Sequence, residues 1–142
     1  MAKGLGGGYA PVAGLLMNHR VADALTSGTG HQGALLEKLL HEHLDEHPYV
    51  GNIRGRGLFW GIEFVSDKAT KEPFPRSFDI ANKVHLNGLN EFGISLYPGN
   101  GTKDGTLGDH VLLAPAYTST AAEIEEIAAR TKDSILCTFQ DL

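Results

Sequence analysis

Asn52-Ile53-Arg54-Gly55-Arg56-Gly57-Leu58-Phe59-Trp60-Gly61-Ile62-Glu63-Phe64-Val65 reads as a single extended strand. Leu58, Trp60, Ile62 and Phe64 alternate with Phe59, Gly61, Glu63 and Val65, the period of two that a pleated backbone imposes on its side chains. Large residues at both parities predict a strand covered on both sides over part of its length. Gly55, Gly57 and Gly61 then mark bulges or the close approach of a neighbour. Trp60 and the aromatic residues around it read as core. Arg54 and Arg56 read as structural, pairing across an intrachain interface.

Upstream of the strand, Leu35, Leu36, Leu39, Leu40 and Leu44 share one helical face and predict a helix over residues 32–47. Pro48 disfavours helical geometry at His47 and ends it. Before the helix, Thr26-Ser27-Gly28-Thr29-Gly30 predicts a break in regular structure. Val21–Leu25 fits a helical turn, and Pro11–Met17 a short strand or buried turn. Downstream, a polar loop over residues 68–76 leads to a helix over 77–92. Ser77 is its expected cap and Gly93 its left-handed terminator. A short strand over 94–97, a glycine-rich loop over 98–109 and a second short strand over 110–114 follow. Thr120-Ala121-Ala122-Glu123 is a capping box opening a helix that carries Ile124, Ile127, Ala128, Thr131 and Ile135. From residue 32 the order is α-β-α-β-β-α. That pattern predicts an α+β fold in two layers, with helices covering a mainly antiparallel sheet of three to four strands.

Composition narrows the function classes. The chain has 142 residues, 42% hydrophobic and 20% charged, which suits one folded domain rather than disorder. A net charge of −5 gives no whole-domain basic footprint for nucleic acid. No apolar run reaches the roughly 18 residues that span a bilayer. The N-terminus lacks the pattern of a signal peptide, so a cytoplasmic location is expected. Cys137, the single cysteine, excludes an internal disulfide.

Three constellations invite a chemical reading. Histidines 41, 43 and 47 include His43-Leu44-Asp45-Glu46-His47, formally the H-x-x-E-H motif of a zinc site. His47 stands before a proline at a helix end and no third ligand is nominated, so a solvated polar terminus is expected and no metal. Asn100-Gly101-Thr102-Lys103-Asp104-Gly105 imitates the start of a calcium loop. Its twelfth position is Val111 where a bidentate glutamate is needed, which excludes calcium.

The third constellation is Lys3-Gly4-Leu5-Gly6-Gly7-Gly8-Tyr9-Ala10-Pro11, a lysine against four glycines in five positions. The order is wrong for a P-loop, and Tyr9 takes the place of the third glycine of a dinucleotide fingerprint. The residues alone leave two readings: a solvated terminal charge, or an amine presented on a turn, suited to Schiff-base chemistry.

This segment resembles the internal-aldimine loop of the class III (ω-type) aminotransferases, fold-type I pyridoxal-phosphate enzymes. Residues 52–63 are similar to the Arg-Gly-x-Gly-Leu-x-x-Gly-Ile-Glu strand that opens their C-terminal small domain. Gly93-Ile94-Ser95, His110-Val111-Leu112-Leu113-Ala114-Pro115 and the closing helix continue in the family's order. The resemblance implies that Lys3 is both the catalytic and the cofactor-binding residue. It holds pyridoxal 5'-phosphate as an imine, then moves a proton once the substrate amine has displaced it. It further implies small-molecule amine and keto-acid substrates, a homo-oligomer, and a chain divided into a large-domain remnant over 1–31 and a small domain over 32–142. The family's acidic partner for the ring nitrogen and its phosphate-binding amides lie upstream of the lysine. A Thr-containing loop is expected where Gly28-Thr29-Gly30-His31-Gln32 stands. The chain is thus expected to be the C-terminal part of such an enzyme, shortened internally and inactive alone. A non-catalytic, aminotransferase-derived interaction module is the alternative. No substrate-binding residue is nominated.

Overall fold

The computed structural model describes the backbone of residues 19–140 and the side chains of residues 30–140. Its elements in chain order are α1 (His19–Leu44), β1 (Val50–Arg56), β2 (Phe59–Phe64), α2 (Ile80–Asn87), β3 (Tyr97–Asn100), β4 (Asp109–Leu113) and α3 (Ala121–Gln140). The strands form one antiparallel sheet of four, in the order β1-β2-β4-β3. The expected two-layer α+β architecture is present.

Alternation along β2 and β4 sends Trp60, Ile62, Phe64, Val111 and Leu113 to one face, where each is at most 3% exposed. Leu36, Leu40 and Leu44 from α1, Ile80 and Val84 from α2, and Ile124, Ala128 and Ile135 from α3 complete the core on that side. Each large side chain buried there contributes about 1.5–3 kcal/mol. Phe139 of α3 closes one end, 4.9 Å from the Tyr49 ring and 5.8 Å from those of Phe64 and Phe74. Thr131, Ser134 and Thr138 are buried in α3, yet each hydroxyl donates to the carbonyl four residues earlier, at 2.7, 2.7 and 2.8 Å. Small side chains that satisfy themselves let α3 pack closely without stranding a polar group.

Several expectations need correction. Residues 52–65 are two strands of a hairpin, not one strand. Arg56 pairs with Phe59, so Gly57 and Leu58 make a two-residue turn, with Gly57 at φ +62°. Glycine reaches that conformation without a steric penalty. The sheet is also covered on one side only among the described residues, since Phe59, on the opposite face from Trp60, is 57% exposed.

The break expected at Thr26–Gly30 is helix: α1 runs unbroken for 26 residues. Glycine weakens a helix by about 1 kcal/mol each but keeps its N–H donor, and once a helix is nucleated each added residue brings one more bond. The buried leucines from Leu36 to Leu44 anchor the far end. The helix also stops three residues early, at Leu44, where the Lys68 ammonium donates to the carbonyls of Asp45 and His47.

The helix expected over 77–92 is divided. Arg76–Phe78 is a single 3₁₀ turn, Asp79 sits at φ +49°, and α2 occupies only 80–87 before a wider turn over Gly88–Phe92. Ser77 caps nothing, whereas Gly93 is left-handed as expected, at φ +63°. The strand expected over 94–97 begins at Tyr97 instead. Pro98 is accommodated because β3 lies at the sheet edge. The Thr120 box forms as written: the Glu123 N–H donates to Thr120 Oγ1 at 3.3 Å, and the Thr120 N–H to Glu123 Oε2 at 2.7 Å.

Candidate functional site

Lys3, the residue nominated for catalysis and cofactor binding, lies outside the described residues. The other nominations can be placed. His43 and His47 do not converge. The His47 ring lies between Tyr49 and Phe139, at 6.0 and 5.1 Å, and its Nδ1 accepts the Tyr49 N–H at 3.2 Å. Burial, and then the nearby Lys68 ammonium, hold His47 below the usual imidazole range. His41 Nδ1 instead meets Asp45 at 2.9 Å, with its ring edge-on to Trp60. Among the described residues no group of three or more His, Cys, Asp or Glu is arranged to hold a metal. In the loop before β4, the Asp104 carboxylate accepts the N–H groups of Thr106 and Leu107 at 2.8 and 2.7 Å, which hold it below the usual carboxylate range. It closes its own turn.

The polar residues that do assemble are on the outward face of the sheet. Arg54 Nη1 donates to Glu63 Oε2 at 2.5 Å, the intrachain pairing expected of Arg54. Glu63 lies directly across from His110 in the β2–β4 register. His110 Nδ1 is 2.9 Å from the Thr102 hydroxyl, and its Nε2 lies over Gly99, where a Cβ would come within 2.4 Å. Arg54, Glu63 and His110 therefore form a row across three strands. A cavity of about 320 Å³ opens beside them, with Phe59, Gly61 and Leu112 in its wall. Reading residues 52–65 as one strand hid this row. Once Gly57 is placed in a turn, the same alternation puts Arg54, Glu63 and His110 on a common face.

Asp109 is a further residue the sequence did not flag. It points inward from β4 and is 6% exposed. Burial raises its carboxyl above the usual range, opposed by the Ala81 N–H at the start of α2, while Asp79 raises it further. The carboxylate thus faces the Ala81 amide near the start of α2, whose own flanking Asp79 makes no side-chain cap.

That occupancy bears on a phosphate-bearing cofactor. Phosphate is held by free N–H groups at a helix N-terminus. The start of α2 has the Asp109 carboxylate beside it, and the start of α3 is taken by the Thr120–Glu123 box. No acidic residue converges with a free amide cradle among the described residues. Taken alone, they do not fit pyridoxal phosphate.

Comparison with known proteins gives a consistent likeness. No family model matches the chain. An aminotransferase of Gibberella zeae is 46% identical across 96% of this chain, which corresponds to 34% of that protein. An uncharacterised aminotransferase of Schizosaccharomyces pombe is 40% identical across 100% of this chain and 38% of its own length. A transaminase solved in work on ancestral reconstruction and directed evolution superimposes with a TM-score of 0.72. It is 29% identical over 86% of this chain and 25% of its own. The chain thus spans about a third of the length of the curated relatives it matches. Their segments are also longer than this chain. The fission-yeast match runs over 177 positions against 142 residues here, leaving 35 without a counterpart.

Proposed function

From the premise that this chain belongs to the class III aminotransferase family, we propose that it supplies the small-domain part of an amino-group transferase. The reaction moves an amino group from an amino acid or amine to a keto acid or aldehyde. Lys3 is the amine that carries the cofactor, pyridoxal 5'-phosphate. Residues 1–31 belong with the large-domain fold and residues 32–142 form the small domain, and the working assembly is a homo-oligomer. The observation that carries this reading is the 46% identity to an aminotransferase along 96% of the chain.

The chemistry asks for a lysine because a primary amine can act both as imine partner and as general base. Cofactor affinity requires phosphate donors and an acidic ring partner that the described residues do not offer. The chain alone is therefore expected to hold the cofactor weakly and to leave it at equilibrium with solvent. A second reading, an aminotransferase-derived module that keeps the fold without catalysis, is favoured by the filled start of α3 and the carboxylate beside the start of α2.

The test is cofactor titration followed by borohydride trapping and peptide mass analysis, on the chain and on Lys3→Ala. Lys3 is expected to be the preferred site of trapping, with millimolar affinity. Trapping spread evenly over all lysines, unchanged by Lys3→Ala, would sink the assignment of Lys3. A micromolar site lost in Lys3→Ala would overturn the expectation of weak binding.

A further inference from the structure

Asn87-Gly88, Asn100-Gly101 and Asp104-Gly105 are open in principle to the same covalent rearrangement. In each, a side-chain carbonyl carbon lies within reach of the next amide nitrogen, and glycine has no Cβ to hold the two apart. Sequence does not rank them, since glycine stands second in all of them. Their settings do.

Asn87-Gly88 is closed by helix. Asn87 ends α2 at φ −61° and ψ −42°, and Gly88 continues at φ −55° and ψ −47°. The Gly88 N–H donates to the carbonyls of Val84 and His85, and the Asn87 side-chain amide donates to the Thr138 hydroxyl at 2.9 Å. Asp104-Gly105 is closed by its own turn. The Gly105 N–H donates to the Gly101 carbonyl at 2.9 Å. The Asp104 carboxylate is turned to the Thr106 and Leu107 amides, which favour its charged form, a poor electrophile.

Asn100-Gly101 has no such restraint. Asn100 is exposed at the end of β3, and among the described residues nothing accepts the Gly101 N–H or engages the Asn100 side-chain amide. The glycine is nevertheless demanded by the fold. Gly101 has φ +82°, and a Cβ there would fall 2.8 Å from the Gly105 backbone. The loop into β4 therefore keeps the fragile dipeptide.

We propose that Asn100 is a site of spontaneous conversion to aspartate and isoaspartate. The Gly101 nitrogen attacks Asn100 Cγ and loses its proton, the Cγ–Nδ2 bond breaks, and ammonia departs with that proton as a succinimide closes. Water opens the ring and returns a proton to the Gly101 nitrogen. Cleavage of the bond from that nitrogen to Cγ gives aspartate, and cleavage of its bond to the main-chain carbon gives isoaspartate. Water is the only co-reactant and nothing is oxidised or reduced. The reaction uses no cofactor, so it stands or falls apart from the aminotransferase reading.

Both products carry a carboxylate where Asn100 is neutral. Asn100 lies directly opposite Asp109 in the β3–β4 register, and Asp109 is buried. Like charges in directly opposed positions weaken the pairing of strands. Isoaspartate also routes the backbone through the side chain, which lengthens β3 and sets it out of register with β4. The conversion therefore loosens the edge strand.

Peptide mapping by mass spectrometry tests this on the full chain, aged at mildly alkaline pH in buffer and in parallel in urea. Isoaspartyl methyltransferase with S-adenosylmethionine labels the isoaspartate. In buffer Asn100 should convert at least about tenfold faster than Asn87 or Asp104, a gap that local structure sustains. In urea Asn87 should approach the rate of Asn100, because only the fold separates the two Asn-Gly pairs. Asn100→Gln should remove most of the label from the folded chain. Conversion of Asn87 or Asp104 as fast as Asn100 in buffer overturns the proposal. So does an Asn100 that stays intact in buffer yet converts in urea, since the turn would then protect it. A gap between Asn100 and Asn87 that persists in urea also overturns it, since sequence rather than fold would set the order. The clash with Asp109 is read from Asn100→Asp, which should lower the urea midpoint, and by less in an Asp109→Asn background. Equal losses in both backgrounds would overturn that link.

Discussion

The inward and outward faces of the same four strands obey different rules. Trp60, Ile62, Phe64, Val111 and Leu113 face inward and are sealed, while Phe59, Gly61, Glu63, His110 and Leu112 alternate with them and stay in partial contact with water. A shift of one residue exchanges the two sets, so the inward set holds the register. The outward set is released from packing and free to bind. The contrast shows most clearly at the neighbours Phe59 and Phe64, identical side chains in one strand. Phe64→Ala should cost about 3–5 kcal/mol in urea unfolding, the price of an aromatic cavity in a close-packed core. Phe59→Ala should change stability by less than about 0.5 kcal/mol. Equal losses at the two sites would show that the outward face is as tightly buried as the inward one.

The glycines divide the same way. A Cβ at Gly55 would fall 2.3 Å from the Phe59 carbonyl oxygen and 2.6 Å from the Trp60 ring, neither of which can move without the hairpin. Gly55→Ala should therefore cost about 1–3 kcal/mol as overpacking. At Gly61 the nearest atom is Leu112 Cδ2 at 3.3 Å, the end of a flexible side chain on the open face. Gly61→Ala should stay within about 0.5 kcal/mol, measured in the same denaturant series.

This division explains how much could be read from the chain. Alternation in residues 58–65 marks the core face, and Thr120 with Glu123 marks the start of α3, because each pattern is complete within a few residues. The hairpin was not legible. Gly55, Gly57 and Gly61 look alike in sequence, yet only Gly57 has a positive φ, and Arg-Gly-Leu-Phe carries no Asn-Gly or Asp-Gly turn signal. The start of α1 was hidden for a related reason. Thr26–Gly30 has the composition of a loop, and only helix continuity decides otherwise. At the candidate site, Arg54, Glu63 and His110 are up to 56 residues apart in sequence and meet only through the β1–β2–β4 register. The position of Asp109 beside the start of α2 is equally a product of tertiary contact, since the flanking Asp79 makes no side-chain cap and instead accepts from the Asn82 side-chain amide at 2.8 Å.

Carboxylates offer a third comparison: Asp109 faces inward and Glu63 outward. The Asp109 carboxyl titrates above its usual range because burial penalises its charge. A carboxyl whose pKa is higher in the folded than in the unfolded state favours folding when protonated. Its contribution therefore improves as pH falls through the folded pKa and is worst at neutral pH. Asp109→Asn keeps an acceptor for the Ala81 N–H and removes the charge. At pH 7 it should stabilise the fold by on the order of 1 kcal/mol, and the gain should shrink toward pH 4. A loss at pH 7 that shrinks as pH falls would mean that the charge on the α2 N-terminus outweighs its burial.

The smallest effect belongs to the pair that organises the outward face. Arg54 and Glu63 side chains are 54% and 23% exposed, so their attraction is diluted by water and by the entropy of holding a long arginine in place. A double-mutant cycle with Arg54→Met and Glu63→Gln should give a coupling of about 0.2–1 kcal/mol. Salt should erase most of it, since the Debye length falls to about 3 Å at 1 M. The same cycle sharpens the contrast between the faces. A face open to water predicts weak, salt-sensitive coupling, whereas a covered face would place the pair where screening is poor. Coupling above about 1 kcal/mol that survives 1 M salt would mean that the pair is shielded from water and the outward face is not open.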